Sequence, residues 1–230
     1  MIRLFSYPQL FSVADNNPFG LKVYAFLKLA RLAFEHEHIF DASKAPRGQL
    51  PYLVDDGETI GDSEAIVAHL IRKYDLKLDA GLTQAQRDTG HLVRRMLDGL
   101  YWIMSYSRWK DPEYWPLFRD AILREHPQVT AAAMEGAQKY NFQRYHYQGI
   151  GRFEPAQVYE KGLADLAVLA DLVGERDFLF GAAPSSTDAA TYGFLANIHF
   201  YDIDTPLKRF IAAHAALARY VERLHGRVSA

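Results

Sequence analysis

Along the first third of the chain, the spacing of hydrophobic residues alternates between a pattern typical of strands and one typical of helices. Ile2 to Tyr7 is a short run of strand formers, and Phe34 to Phe40 alternates in character from residue to residue, so both segments predict strands. Between them, Pro18 opens a segment whose apolar residues recur every three or four positions, which predicts a helix. Two short apolar runs then flank the turn-forming segment Asp55 to Gly57, as in a β-hairpin, and a helical period follows from Ser63 to Tyr74.

Only helical periods follow from residue 84 onward. The order strand, helix, strand, then strand, strand, helix is typical of a thioredoxin-like domain, whose first unit contains a parallel strand pair. We predict an α+β thioredoxin-like domain over residues 1–78 and an all-α helical-bundle domain over residues 84–230, joined by a linker from Asp75 to Thr83. Four apolar stripes mark helices in the second domain: Leu92 to Met104, Tyr159 to Val173, Ala189 to Ala196 and Leu207 to Val221.

Composition narrows the chemistry that the chain can perform. Its 230 residues include no cysteine, which excludes disulfides, thiolate nucleophiles and cysteine-ligated metals. The formal net charge of -2 gives no reason to expect nucleic acid as a partner. The chain starts without a signal-peptide pattern, and no apolar stretch reaches membrane-spanning length. We therefore expect a cytoplasmic protein with no membrane span.

The segment GQLPYLVDDGETIGDSEAIVAHL, residues 48–70, holds two features with a structural and a functional interpretation. A proline such as Pro51 is common at the start of a strand, where its missing N–H costs no hydrogen bond. A cis bond before it would instead present the backbone of Leu50 to an extended peptide. Asp62 and Ser63 are common helix caps, but they also stand where a helix N-terminus can hold a carboxylate and an acid can hold an ammonium group. A backbone that pairs with a peptide, beside groups that bind an α-carboxylate and an α-ammonium group, suits a γ-glutamyl peptide.

This segment resembles the glutathione-binding half of the glutathione S-transferase N-terminal domain. The resemblance implies that Leu50 pairs with the cysteinyl backbone of glutathione beside a cis-proline at Pro51, and that Asp62 and Ser63 hold the γ-glutamyl end. It also implies that the glycyl end lies near the loop before Pro51, with three candidate side chains. These are Gln49, Lys44 and Arg47.

The resemblance extends over nearly the whole chain. Ser185 and Asp188, in PSSTDAATYGFLANI, resemble the helix-capping motif of the family's second domain. The segments NNPFGLKVYAFLKLARLAFEHE and GIGRFEPAQVYEKGLADLAVLADLVGERDFLFGAAPSSTDAATYGFLANI are similar to the failed-axon-connections/metaxin-like branch. Membership implies glutathione as co-substrate, a small electrophilic partner, no metal and a homodimer.

The residue that would stabilise the glutathione thiolate departs from the family pattern. Transferases of this kind place a serine or cysteine before a Pro-Phe pair, where Asn17 stands here. An asparagine amide can donate a hydrogen bond to a thiolate, but Asn17 is equally interpreted as a plain N-cap. Tyr7, at the end of the first strand, and Ser12, in the following loop, are alternative candidates.

The predicted first helix of the second domain carries an aromatic cluster, YWIMSYSRW. We expect Tyr101 and Met104 to continue the core stripe, and Tyr106, Trp109 and Trp115 to line a site for an electrophile. His36 and His38 share a strand face, but no third metal ligand is evident. The sequence therefore favours a glutathione transferase acting on an apolar or aromatic electrophile. The alternatives are a metaxin-like binding module without catalysis and a carrier of apolar ligands.

Overall fold

A mixed four-stranded sheet forms the first part of the chain in a computed structural model, which describes residues 1–229. The strands are β1 (Ile2–Ser6), β2 (Phe34–His38), β3 (Tyr52–Asp55) and β4 (Glu58–Gly61), in the order β2-β1-β3-β4. β1 pairs in parallel with β2 and antiparallel with β3, and β3 forms an antiparallel hairpin with β4. Helix α1 (Pro18–Leu29) connects β1 to β2, and helix α2 (Ser63–Lys73) follows β4. The predicted thioredoxin-like order is confirmed.

Seven further α-helices follow α2 in the described part of the chain. They are α3 (Gln84–Trp109), α4 (Trp115–Glu125), α5 (Ala131–Gln148), α6 (Pro155–Val173), α7 (Ser186–His199), α8 (Pro206–Ala213) and α9 (Ala215–Ser229). The four predicted apolar stripes fall on α3, α6, α7 and the α8–α9 pair. The last stripe was predicted as one helix, but it is broken at His214, whose backbone is non-helical at φ -105° and ψ 86°. The predicted domain limits at residues 78 and 84 stay a prediction.

The sequence did not predict α4 and α5. In α5 only Met134, Asn141 and Tyr145 are buried, because the helix covers one side of the bundle and leaves most of its residues in water. Its apolar residues therefore do not repeat as one stripe. Among the described residues, no helix is both long enough and apolar enough to cross a membrane.

Helix α7 lies at the centre of the core, and α1 packs directly against it. Every residue from Ser186 to Ile198 is buried. A Cβ added at Gly193 would lie 2.5 Å from the carbonyl oxygen of Pro18, so a glycine there lets the backbones of α7 and α1 approach closely. The all-helical part of the chain therefore supports the first turn of α1 directly.

The predicted cap of α7 is confirmed and extends beyond the helix itself. Asp188, fully buried, accepts from the backbone N–H and the hydroxyl of Ser185 at 2.8 and 2.6 Å. Its second oxygen accepts from the backbone N–H of Leu179 and the hydroxyl of Tyr220, both at 2.8 Å. These four bonds satisfy a carboxylate that burial would otherwise strongly penalise.

Candidate active site

A cavity of about 540 Å³ lies between the start of α1 and helices α3, α4 and α5. Tyr7, Asn16 and Asn17 form its inner wall, where β1 leads into α1. The rest of the lining is mostly apolar and aromatic. It includes Phe40, Tyr101, Ser105, Arg108, Trp109, Phe118, Ile122, Val129, Ala133, Met134, Ala137, Tyr140, Asn141 and Arg144.

Asn17 caps α1 and also lines the cavity. Its backbone is extended, and its side-chain Oδ1 accepts from the N–H of Phe19 at 3.0 Å, so it caps α1. The Nδ2 amino group of the same side chain makes no hydrogen bond to any described residue. Because Asn17 also lines the cavity, a donor remains available there, next to the partial positive charge of the α1 N-terminus.

Asp15 supports this turn from within the core. Its Oδ1 accepts from the backbone N–H of Asn17 at 2.7 Å, whereas its Oδ2 has no hydrogen-bond partner among the described residues. Burial raises the pKa of Asp15 to about 8, so the carboxyl is mainly protonated at neutral pH. The carboxyl also packs against the backbone of Gly20, where an added Cβ would lie 1.7 Å from Oδ2.

Arg108 of α3 connects the loop before α1 to the helical bundle. Its guanidinium, on a residue only 5% exposed, donates to the carbonyl oxygen of Asn16 and to the carbonyl oxygen of Asn197 at 2.7 Å. It also lies over the ring of Tyr201, 3.9 Å from the centroid. In turn, the Asn197 side chain donates to the carbonyl oxygen of Asp15 at 3.1 Å. The segment from Asp15 to Asn17 is thus held by side chains of α3 and α7.

The two alternative thiolate-stabilising candidates lie in different places. Tyr7 lines the cavity, and burial, followed by Tyr101 and Asp15, raises its pKa to about 12. Its phenol is therefore protonated at neutral pH and can act as a donor rather than a base. Ser12 is exposed and does not line the cavity.

The predicted γ-glutamyl region lies at the start of α2, outside the cavity. Asp62 caps this helix, accepting from the N–H groups of Glu64 and Ala65 at 3.0 and 3.1 Å, and its second oxygen pairs with Arg47 at 3.2 Å. Burial acts to raise the pKa of Asp62, but these hydrogen bonds outweigh it and hold the pKa below its usual range. Asp62 is thus a charged acid at the helix start that already has one cationic partner.

Ser63 is coupled to a lysine that the sequence analysis did not single out. Lys22 of α1, 4% exposed, donates to Ser63 Oγ at 3.2 Å and pairs with Glu64. Burial lowers the pKa of Lys22, and the neighbouring Glu64 partly opposes this effect. A cation and a hydroxyl therefore meet at the N-terminus of α2, an arrangement suited to a carboxylate.

The remaining predicted glutathione contacts surround the start of β3. The Leu50–Pro51 peptide bond is cis, and the buried Leu50 lies two residues before Tyr52, the first paired residue of β3. Gln49 and Lys44 are exposed on the preceding loop. None of these residues lines the cavity. The predicted glutathione contacts and the cavity therefore lie on two regions that α1 connects, through Lys22 at one and Asn17 at the other.

The aromatic residues that line the cavity differ in part from those predicted to line the electrophile site. Trp109 lines the cavity, but Tyr106 and Trp115 do not; they are 3% and 8% exposed and pack behind it. Tyr101, expected in the core, lines the cavity instead. The helical period explains this difference, because Tyr101, Arg108 and Trp109 lie on one face of α3, whereas Tyr106 points toward another.

The strand histidines have local partners. His36 Nε2 lies 2.7 Å from Ser6 Oγ, and His38 Nδ1 lies 3.1 Å from the carbonyl oxygen of Tyr7. Burial, with His38 nearby, lowers the pKa of His36 to about 4. Over the described residues, no group of three or more histidine, cysteine, aspartate or glutamate residues is placed to hold a metal ion.

Comparison with known proteins identifies the family. A model described as the glutathione S-transferase N-terminal domain matches residues 18–114, and one described as the glutathione S-transferase C-terminal domain matches residues 162–224. Together the two matches cover more than half of the chain. The chain belongs to the glutathione S-transferase superfamily. A β-etherase from Sphingobium sp. strain SYK-6 has a similar fold, with a TM-score of 0.68, 17% identity, and 99% of this chain and 97% of that one covered.

Curated relatives include two of the failed-axon-connections/metaxin type and one transferase. Failed axon connections of Drosophila melanogaster is 29% identical over 92% of this chain and 54% of its own length. Metaxin-1 of Bos taurus is 23% identical over 77% of this chain and 59% of its own length. Isoprene-epoxide–glutathione S-transferase of Rhodococcus sp. strain AD45 is 28% identical over 97% of this chain and 98% of its own length. One relative named as a transferase and two that are not are thus similar to the same chain.

Proposed function

We propose that this protein is a glutathione transferase that adds the thiol of glutathione to a small electrophile. The observation that carries the proposal is the cavity at the N-terminus of α1, with the Asn17 side chain in its wall. A helix N-terminus and an amide donor both favour a thiolate over a thiol, which increases the amount of nucleophile at neutral pH.

Glutathione would extend from this point toward the start of α2. Its γ-glutamyl carboxylate would meet the α2 N-terminus, Ser63 and Lys22, and its ammonium group would meet Asp62. Asp62 is ionised well below neutral pH, as an ammonium ligand requires, although the ligand would share it with Arg47. Leu50, Gln49 and Lys44 border the region where the rest of the tripeptide would lie.

The relative from Rhodococcus suggests a small epoxide as the electrophile, because its name specifies isoprene epoxide. In such a reaction the thiolate sulfur forms a bond to one epoxide carbon while the bond from that carbon to oxygen breaks. The oxygen stays on the other epoxide carbon as an alkoxide and takes a proton. Tyr7, protonated at neutral pH and in the cavity wall, is placed to donate to the developing alkoxide.

The second candidate function is a metaxin-like binding module without catalysis. Asn17 favours it, because an amide is a weaker thiolate stabiliser than the hydroxyl or thiol usual at this position. The branch relatives Failed axon connections and Metaxin-1 favour it as well. Such a module would have no chemical need for the Lys22–Ser63 pair or for an open cavity at Asn17.

Calorimetric titration of glutathione into the purified protein tests the proposal first. We expect saturable binding that is lost in the double variant Asp62→Ser, Ser63→Ala. Serine at position 62 retains the capping oxygen of α2 while removing the charge, so the helix is preserved. Asp202→Ala, which removes an exposed acid between α7 and α8, is the matched control and should bind normally.

Conjugation to a panel of electrophiles, including styrene oxide, then separates transfer from binding alone. Glutathione binding with no conjugation across the panel would support the binding module or the ligand carrier. The absence of glutathione binding to the intact protein would contradict the transferase proposal.

A further inference from the structure

The cavity carries a positive charge that no side chain in its wall balances. Among the described residues that line it, the only charged ones are Arg108 and Arg144, and no aspartate, glutamate, lysine or histidine accompanies them. The rest of the wall is apolar, aromatic or neutral and polar. The charge of the lining is therefore positive, on an otherwise mostly apolar cavity.

Arg144 of α5 is the more accessible of the two. It is half-buried, donates to Asn141 Oδ1 at 3.0 Å, and lies 5.0 Å from the ring centroid of Trp102 and 5.8 Å from that of Tyr140. Within the described part of the chain, no carboxylate oxygen lies within the 4.0 Å limit for an ion pair with it. Its neighbours therefore orient the guanidinium without neutralising it.

Arg108 is buried more deeply and is likewise bound to neutral groups. Its hydrogen bonds go to the carbonyl oxygens of Asn16 and Asn197 and to the side-chain oxygen of Asn197. Asp15, an acid that interacts with Arg108, is itself mainly protonated at neutral pH because it is buried. Arg108 therefore adds positive potential to the wall, and its bonds fix it in place.

A partly buried charge without a partner is unfavourable, and an anionic ligand removes that cost. Arginine is also the side chain best suited to a carboxylate, which it can bind with two parallel hydrogen bonds. We propose that the cavity takes an acceptor substrate that carries a carboxylate next to an apolar or aromatic body, and that Arg144 binds this carboxylate. This inference rests on the proposed transferase function for its chemistry, although the binding step does not depend on turnover.

The experiment uses two electrophiles that share a ring and a leaving group. Conjugation of glutathione to para-chloro-meta-nitrobenzoate is compared with conjugation to para-chloro-meta-nitrobenzamide, its neutral counterpart. In both, the glutathione sulfur forms a bond to the ring carbon and chloride leaves. The variants are Arg144→Met, which removes the charge, and Arg144→Lys, which retains it. Lys139→Met, which removes an exposed charge from the same helix, is the matched control.

We expect Arg144→Met to lower kcat/KM for the benzoate at least tenfold relative to the benzamide, a difference of about 1.4 kcal/mol. Arg144→Lys should recover part of this loss, and Lys139→Met should leave the ratio unchanged. The KM for glutathione should not change in any variant. A rise in the glutathione KM with an unchanged benzoate-to-benzamide ratio would show that Arg144 binds glutathione instead, and would overturn the inference.

A binding measurement keeps this test separate from the test of catalysis. Meta-nitrobenzoate and meta-nitrobenzamide lack a leaving group, and both should alter the fluorescence of Trp109 in the cavity wall. Tighter binding of the benzoate that Arg144→Met abolishes would support the inference even if neither electrophile is conjugated. Equal binding of the two compounds to the intact protein would refute it, whatever the outcome of the conjugation assay.

Discussion

Replacing Asn17 with aspartate separates its capping role from its proposed role in catalysis. The Oδ1 atom that accepts from Phe19 at 3.0 Å has an equivalent in aspartate, so the cap on α1 is retained. The Nδ2 donor, which has no other partner in the described structure, is lost. Aspartate also adds a negative charge at the point where the thiolate would lie. The two side chains have nearly the same shape, so the change is almost purely electronic.

The expected size of the effect follows from a single hydrogen bond to a charged group. Such a bond contributes about 1.5–3 kcal/mol. This corresponds to about one to two units in the pKa of the glutathione thiol, at about 1.4 kcal/mol per unit. Below that pKa, the thiolate population and kcat/KM should therefore fall about 10- to 100-fold. Repulsion from the new carboxylate acts in the same direction.

The thiol pKa can be measured by the ultraviolet absorbance of bound glutathione thiolate as a function of pH. It should rise in Asn17→Asp, while the thermal unfolding midpoint stays within a few degrees of wild type. Asn17→Ser supplies the control, because serine also caps a helix but presents a hydroxyl donor, and it should keep or increase the activity. An unchanged thiol pKa and unchanged turnover in Asn17→Asp would refute the role assigned to Asn17.

Three further predictions concern the frame around the site. Asp188→Ala should lower the free energy of unfolding by about 3–5 kcal/mol in urea titrations, since it leaves the buried N–H of Leu179 without its carboxylate partner, whereas Asp202→Ala should change it little. Gly20→Ala should destabilise the protein by about 1–3 kcal/mol, because its Cβ would overlap Asp15, and a thermal midpoint equal to wild type would contradict this packing. For Asp15 the pKa is raised on folding from 3.8 to about 8, so its stabilising contribution is present below the lower value and is lost as the pH rises through the higher one. Asp15→Asn should therefore gain stability relative to wild type as the pH rises from about 4 to about 8. A constant difference between the urea midpoints of the two proteins across that range would count against it.

The sequence predicted the parts of the fold that depend on local pattern. The strand order and the α7 cap at Ser185 and Asp188 were predictable, because strand alternation and capping follow from residues close together in the chain. The break at His214 was not, since apolar residues continue on both sides of it at a helical spacing. Helix α5 was also not predicted, because a helix that lies mostly in water needs no apolar stripe.

The candidate site was predictable only where a family motif marked it. Asn17 and the Asp62–Ser63 pair stand in such motifs. Arg108, in contrast, continues the buried stripe of α3 after Leu100 and Met104, and a charged residue at a buried stripe position is a signal that sequence analysis could have used. Arg144 gave no such signal, because its role depends on the cavity that α5 closes against α3.

The buried polar groups behind the cavity bear on the choice between the two candidate functions. Asp15, Arg108 and Asn197 are all buried, and they bind one another's backbone or the backbone of Asn16. Stability alone does not favour such a set, because apolar side chains of similar volume commonly stabilise a core as well or better. What this set does accomplish is to fix the segment that carries Asn17 against the helical bundle. A transferase requires that segment to be held rigidly, because the thiolate must meet both its donor and the electrophile. A binding module that uses another surface has no such requirement, so the buried network favours the transferase.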